Sequence, residues 1–76
     1  MVESINLKNG QKLLVELDKV KDRLPKDIIM ELKKDPIGKL IGYKMVDGNS
    51  FGLVLKFKNG KKIWFFEEEL SDTSKE

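Results

Sequence analysis

Asn59-Gly60 stands between two apolar runs, Gly52 to Lys58 (GLVLKFK) and Lys61 to Phe66 (KKIWFF), and this pair constrains the fold more than any other feature. It is the strongest short-range hairpin signal a sequence carries, because a tight turn between twisted strands needs positive φ. As a two-residue loop it places Lys58 opposite Lys61. The pairs then continue as Phe57 with Lys62, Lys56 with Ile63, Leu55 with Trp64, Val54 with Phe65 and Leu53 with Phe66. Side chains alternate across a strand, so one face carries Leu53, Leu55, Phe57, Trp64 and Phe66. This is the expected core face. The other carries Val54, Ile63 and Phe65 framed by Lys56, Lys58 and Lys61. A three-residue loop with a bulge would shift the register and exchange the faces.

Strand patterns extend through most of the chain. Residues 11 to 17 (QKLLVEL) place Leu13, Val15 and Leu17 at every second position with Lys12 and Glu16 between them, as in a half-exposed strand. Gly38 to Val46 (GKLIGYKMV) reads as a second long strand, with Gly42 marking a bend or bulge. Asp47-Gly48-Asn49-Ser50 is turn chemistry at every position. Between the first two strands the period changes. Pro25 suits a first helical turn, Asp27 complements its positive end, and Ile28, Ile29 and Leu32 share one side up to Pro36. LKNGQKLLV at 7 to 15 and FKNGKKIWF at 57 to 65 share a Lys-Asn-Gly-x-Lys core. Two independent turns of like chemistry explain them better than duplication, since no second copy follows.

These elements predict a mainly all-β domain: a small SH3-like antiparallel β-barrel of four to five strands with one short helix. It spans residues 1 to 76 as a single domain, with a frayed N-terminus and a polar tail at 71 to 76 (SDTSKE). An OB-type barrel is the alternative, disfavoured by the short chain. With 76 residues, folding buries only about 60% of the unfolded surface, so nearly every apolar residue is needed.

Composition then narrows the chemistry. The chain has no Cys and no His, so disulfides, the usual zinc sites, imidazole-assisted nucleophiles and haem His ligands have no residues to build them. No cofactor is expected. No apolar run exceeds the four residues Ile63 to Phe66, and a spanning helix needs about 20. The N-terminus lacks the order of a signal peptide, so the chain is expected to stay in the compartment where it folds. Fifteen basic residues against 13 acidic ones give a net charge of +2, and the pI is 8.9. That is a weak field for a dedicated nucleic-acid binder. Lys outnumbers Arg 14 to 1, which reads as the coding bias of an AT-rich genome.

The mixed hairpin face supplies the candidate site. Ile63 and Phe65, framed by Lys56, Lys58 and Lys61, form an apolar patch inside a polar rim, with Tyr43 as a further contributor. The bland alternative is that the Pro25 helix covers Ile63 and Phe65, or that barrel closure buries them. Glu67-Glu68-Glu69 lacks the ligand spacing of a cation loop and reads as a solvated turn. Gly38-Lys39-Leu40-Ile41-Gly42 lacks the ending of a phosphate-binding loop. No nucleophile or base can be named.

The order of residues from Gly10 to Leu70 resembles the PetP family, small extrinsic subunits of the cytochrome b6f complex in cyanobacteria and red algal plastids. The matching elements are Gly10-Gln11-Lys12, the Lys19 to Arg23 stretch, Gly38 and Gly42 around an apolar pair, Asp47-Gly48, Gly52-Leu53-Val54, Phe57 and Asn59-Gly60. Most distinctive is Trp64-Phe65-Phe66-Glu67 with Glu69-Leu70. The chain departs from the pattern at Lys56 and Lys58, where acidic residues are usual, and at Phe51, where a smaller residue is. The resemblance implies an SH3-like fold and a non-catalytic, peripheral subunit on the cytoplasmic or stromal side of the thylakoid membrane. Its partners would be the integral subunits of the complex, which passes electrons from plastoquinol to plastocyanin or cytochrome c. It would be monomeric when free, carry no redox centre, bind no nucleic acid and tune or stabilise electron flow by contact. The alternative from another class is a small nucleic-acid-binding barrel, RNA or ribosome associated, whose basic loops hold the backbone and whose aromatics stack bases. An adaptor for proline-rich peptides has only one Tyr and one Trp with which to build its groove.

Overall fold

The computed structural model describes residues 7–46 and 50–73. Strands β1 (Lys12–Val15), β2 (Ile37–Val46), β3 (Ser50–Lys56), β4 (Lys62–Phe65) and β5 (Leu70–Asp72) form one antiparallel sheet in the order β4-β3-β2-β1-β5. The expected mainly-β architecture is present. No ladder joins β4 to β5 among the described residues, so the sheet is open at these two edges and is compatible with a small barrel-like fold. Two α-helices, α1 (Leu17–Val20) and α2 (Lys26–Lys34), lie between β1 and β2 where one was expected.

Helix α2 follows its sequence signals. Pro25 sits at the N-cap position, Asp27 in the first turn and Lys33 and Lys34 in the last, where each charge suits the helix dipole. Leu32 is buried, and Ile28 and Ile29 pack against the core from the same side. The additional turn α1 comes from Leu17, which does not continue β1. The Glu16 amide instead donates to the Glu69 carbonyl (2.8 Å), and Leu17 and Val20 turn together toward the core at i, i+3 spacing.

The β2–β3 pair confirms the bulge expected near Gly42. Leu40 pairs with Leu55 and Gly42 with Val54, leaving Ile41 as the extra residue. The expected turn at residues 47 to 50 lies outside the described residues except for Ser50, which opens β3. Ser71 and Asp72, expected in the polar tail, pair with Leu14 and Leu13 as part of β5. They cover an edge of β1 that would otherwise present unpaired backbone groups. The expected frayed N-terminus, residues 1 to 6, and the tail residues 74 to 76 lie outside the described residues.

The hairpin at Asn59-Gly60 forms with a different register from the two-residue reading. Leu53 pairs with Phe65, Val54 with Trp64, Leu55 with Ile63 and Lys56 with Lys62. The Phe57 amide donates to the Lys61 carbonyl and the Gly60 amide to the Phe57 carbonyl, each at 2.9 Å, closing a three-residue loop of Lys58, Asn59 and Gly60. Gly60 takes φ +87°, the left-handed position such a loop requires. The Asn59 side chain accepts the Lys61 amide (2.9 Å). One residue of slip moves every side chain of β4 to the opposite face. Phe65 therefore joins Leu13, Val15, Val20, Leu32, Leu40, Leu53, Leu55, Phe57 and Leu70 in the buried core. Phe65 meets Phe57 edge to face at 6.2 Å. Trp64 and Phe66 turn outward, and a Cβ added to Gly52 would come within 2.9 Å of the Trp64 ring. Glycine at 52 lets the indole lie against the backbone of β3.

Candidate interaction surfaces

The register change redistributes the predicted docking residues over three places. Phe65 is fully buried and presents no surface. Ile63 is half-buried against the core and faces α2, as the bland alternative for this residue held. Lys56 remains exposed but on the outer face of the sheet, opposite Lys62. Lys58 and Lys61 stay near Ile63, and Tyr43 stands apart on the β2–β3 hairpin.

Ile63, Lys58 and Lys61 border a groove of about 330 Å³ between α2 and the β3–β4 hairpin, floored by Ile28, Leu32 and Phe57. Its rim is a polar staple. The Lys61 ammonium reaches Glu31 Oε2 at 2.7 Å, and the Asn59 amide donates to Glu31 Oε1 at 2.8 Å. Both groups of the ion pair are substantially exposed, so it contributes at most about 1 kcal/mol. The contact links the helix to the hairpin at the rim of the groove.

The β2–β3 hairpin bears a different apolar surface. Tyr43 is directly opposite the buried Leu53, and Met45 opposite Phe51, so all four belong to the face that forms the core. Leu53 lies within the core, whereas Tyr43, Met45 and Phe51 extend beyond it and are 48%, 62% and 56% exposed. Three large side chains thus continue the core face into solvent as a strip. Sequence reading singled out Tyr43 alone, because β-strand alternation shows which residues share a face but not where the covering layer ends.

The third feature was missed altogether. Arg23, the chain's one arginine, lies after α1 and forms a bidentate pair with the buried Glu69: Nε to Oε2 at 2.8 Å and Nη2 to Oε1 at 2.7 Å. The Phe66 amide donates to the same carboxylate (2.9 Å). The guanidinium lies 4.6 Å from the Trp64 ring centre and 5.5 Å from that of Phe66, rings that meet edge to face at 5.0 Å. Glu69 thereby closes the 3₁₀ turn Glu67–Glu69 and binds it to the α1–α2 connection. Only a planar fork can make both bonds while stacking on indole, so the scarcity of arginine in this chain was the signal. Among the described residues no group of three acidic side chains could hold a metal ion.

Glu16 connects β1 to β5. The Ser71 hydroxyl donates to its carboxylate and Lys19 lies 3.8 Å away, so its pKa is held below the ordinary value of 4.5 despite some opposing desolvation. A lowered folded-state pKa adds stability above that ordinary value, and the stability is lost as pH falls through the folded pKa. Ser71→Ala should therefore lower the urea midpoint at pH 7 and reduce the further loss seen on acidification below pH 4.5. Equal acid sensitivity in the two proteins would remove this role from Ser71.

Residues 10–71 match the family model described as "Cytochrome b6f, subunit Tsr0524-like". The solution structure of the cyanobacterial cytochrome b6f complex subunit PetP is similar, with 34% sequence identity and a TM-score of 0.69 over 93% of this chain and 87% of that one. No curated protein matches the chain.

Proposed function

The chain belongs to the cytochrome b6f, subunit Tsr0524-like family, and from that premise we propose that it is a non-catalytic peripheral subunit of the complex. It modulates or stabilises photosynthetic electron transport through protein contacts with the integral subunits. It sits on the cytoplasmic or stromal side of the thylakoid membrane and is a monomer when free. No described helix is long and apolar enough to cross a membrane.

The observation that carries this reading is the strip of Tyr43, Met45 and Phe51, which continues the core face into solvent. Exposed apolar groups clustered on one arm are the anchors expected of a docking surface, where a few large side chains provide most of the affinity. The groove residues Lys58, Lys61 and Ile63 lie at the opposite end of β3 from Phe51 and would form a separate contact. Phe65 takes no part, being buried.

A Met45→Ser/Phe51→Ser double variant tests the strip. Loss of one anchor worth about 2 kcal/mol weakens binding roughly 30-fold. The variant should therefore fail to co-migrate with the complex in mild detergent, while its thermal unfolding stays close to that of the parent. Co-migration at parental levels would remove the strip from the interface.

A further inference from the structure

The strand register sets four lysines side by side. Lys12 pairs with Lys39, Lys39 with Lys56 and Lys56 with Lys62, giving one lysine from each of β1, β2, β3 and β4 in an unbroken row. All four are exposed, and their chain neighbours Leu13, Leu40 and Leu55 are buried, so the row lies on the outer face of the sheet. Lys44, opposite Gly52 and at even spacing from Lys56 through that strand, lies on the same face. Three inter-strand steps of about 4.8 Å make the row roughly 14 Å long. The ion pairs among the described residues are Lys19 with Glu16, Arg23 with Glu69 and Lys61 with Glu31, none of which neutralises a member of the row.

Like charges directly opposite on neighbouring strands destabilise a sheet, and these are closer than the screening length of about 8 Å at physiological salt. An alternating Lys-Glu arrangement would have avoided the cost. We propose that this face is an electrostatic contact for an anionic lipid bilayer. The lysine row lies across the strands of an open sheet, and none of its four members lines the groove between α2 and the β3–β4 hairpin, so the row presents charge without a cleft of its own among the described residues. Lysine supplies a compact charge on a flexible apolar stem and suits diffuse attraction to a charged surface, whereas fixed carboxylates are better met by arginine forks. Apolar groups adjoin the row on the same face. Ile37, two residues before Lys39, is 38% exposed, and its partner Leu14 is half-buried. A basic stripe beside exposed aliphatic side chains is the composition of a surface that rests at a bilayer interface. Membership of a membrane-complex family sets such a surface beside the chain.

The lysine row and the Tyr43–Met45–Phe51 strip occupy opposite faces, so the bilayer contact stands or falls independently of the protein contact proposed above. The full chain should co-sediment with vesicles containing phosphatidylglycerol and not with pure phosphatidylcholine, and binding should fall as salt rises. Each lysine removed is expected to weaken binding about fivefold, so Lys39→Gln/Lys56→Gln should lose about 25-fold. Its melting temperature should hold or rise, because repulsion is relieved. Lys12→Gln/Lys62→Gln, changed at the ends of the row, provides a second pair should the first fail to fold. Met45→Ser/Phe51→Ser should bind vesicles as the parent does. Three outcomes overturn the proposal: no parental binding to phosphatidylglycerol vesicles at low salt, folded lysine variants that bind undiminished, or tighter binding to an RNA oligonucleotide than to vesicles at the same salt.

Discussion

Arg23→Ala is expected to lower the urea midpoint by a large fraction of the parent's value, the largest loss of any charge removal in this chain. The Glu69 side chain is 5% exposed and that of Arg23 28%, so removing the guanidinium takes the charge partner from a largely buried carboxylate and opens it in part to water. Breaking a fully buried pair from one side costs about 3–5 kcal/mol, which is the upper bound for this pair with its partly exposed cation. A domain of this size has total stability of about 4–11 kcal/mol, at about 0.05–0.15 kcal/mol per residue. The stacking on Trp64 and Phe66 is lost as well. Arg23→Lys should recover part of the loss, because one ammonium replaces the charge but not the two-pronged geometry. Glu69→Gln should cost less than Arg23→Ala, since the guanidinium left behind is partly exposed. Urea denaturation followed by circular dichroism measures all three. An Arg23→Ala midpoint equal to the parent's would show that the pair is dispensable.

Phe65→Ala should be of comparable severity. The ring is fully buried between β3 and the rest of the core and meets Phe57 edge to face. Phe-to-Ala changes in such sites cost about 3–5 kcal/mol through lost transfer energy and the cavity left behind. The two hairpin registers predict opposite outcomes for this variant. With a two-residue loop Phe65 would lie on the outer surface, and its loss would weaken partner binding in a folded protein. With the observed three-residue loop the variant should lose a large fraction of its stability, read as a much lower urea midpoint, whether or not a partner is present. A folded Phe65→Ala protein of near-parental stability would reject the observed pairing.

The difficulty at this hairpin has a physical origin. Ile63, Trp64, Phe65 and Phe66 are all apolar, so β4 offers no alternation from which to choose a face. Asn-Gly serves both loop lengths, and the choice depends on which face of the strand the core covers. Once Phe65 and Ile63 turn inward, Trp64 and Phe66 are left outside, and Arg23 is the group that covers them. Glu69 read as part of a solvated acidic turn for the same reason, its partner being 46 positions away. Leu17 fitted a period of two with Val15 and a period of three with Val20, and packing selected the second. Ser71 and Asp72 lack apolar character, yet the free edge of β1 recruits them.

Local chemistry along the chain specifies a mainly-β protein, a hairpin at Asn59-Gly60, a bulge beside Gly42, a helix bracketed by Pro25 and Pro36, and family membership through the ordered residues ending in Trp64-Phe65-Phe66-Glu67. These depend on turn geometry, proline sterics and side-chain periodicity within a few residues. Long-range packing selects which face of each strand is covered, and therefore which candidate residues are left exposed. It placed Phe65 inside, left Met45 and Phe51 exposed beyond the core, and aligned Lys12, Lys39, Lys56 and Lys62 across four strands. Burial and cross-strand register arise from contacts among segments distant in the chain, where a one-residue slip inverts a face without changing any local preference.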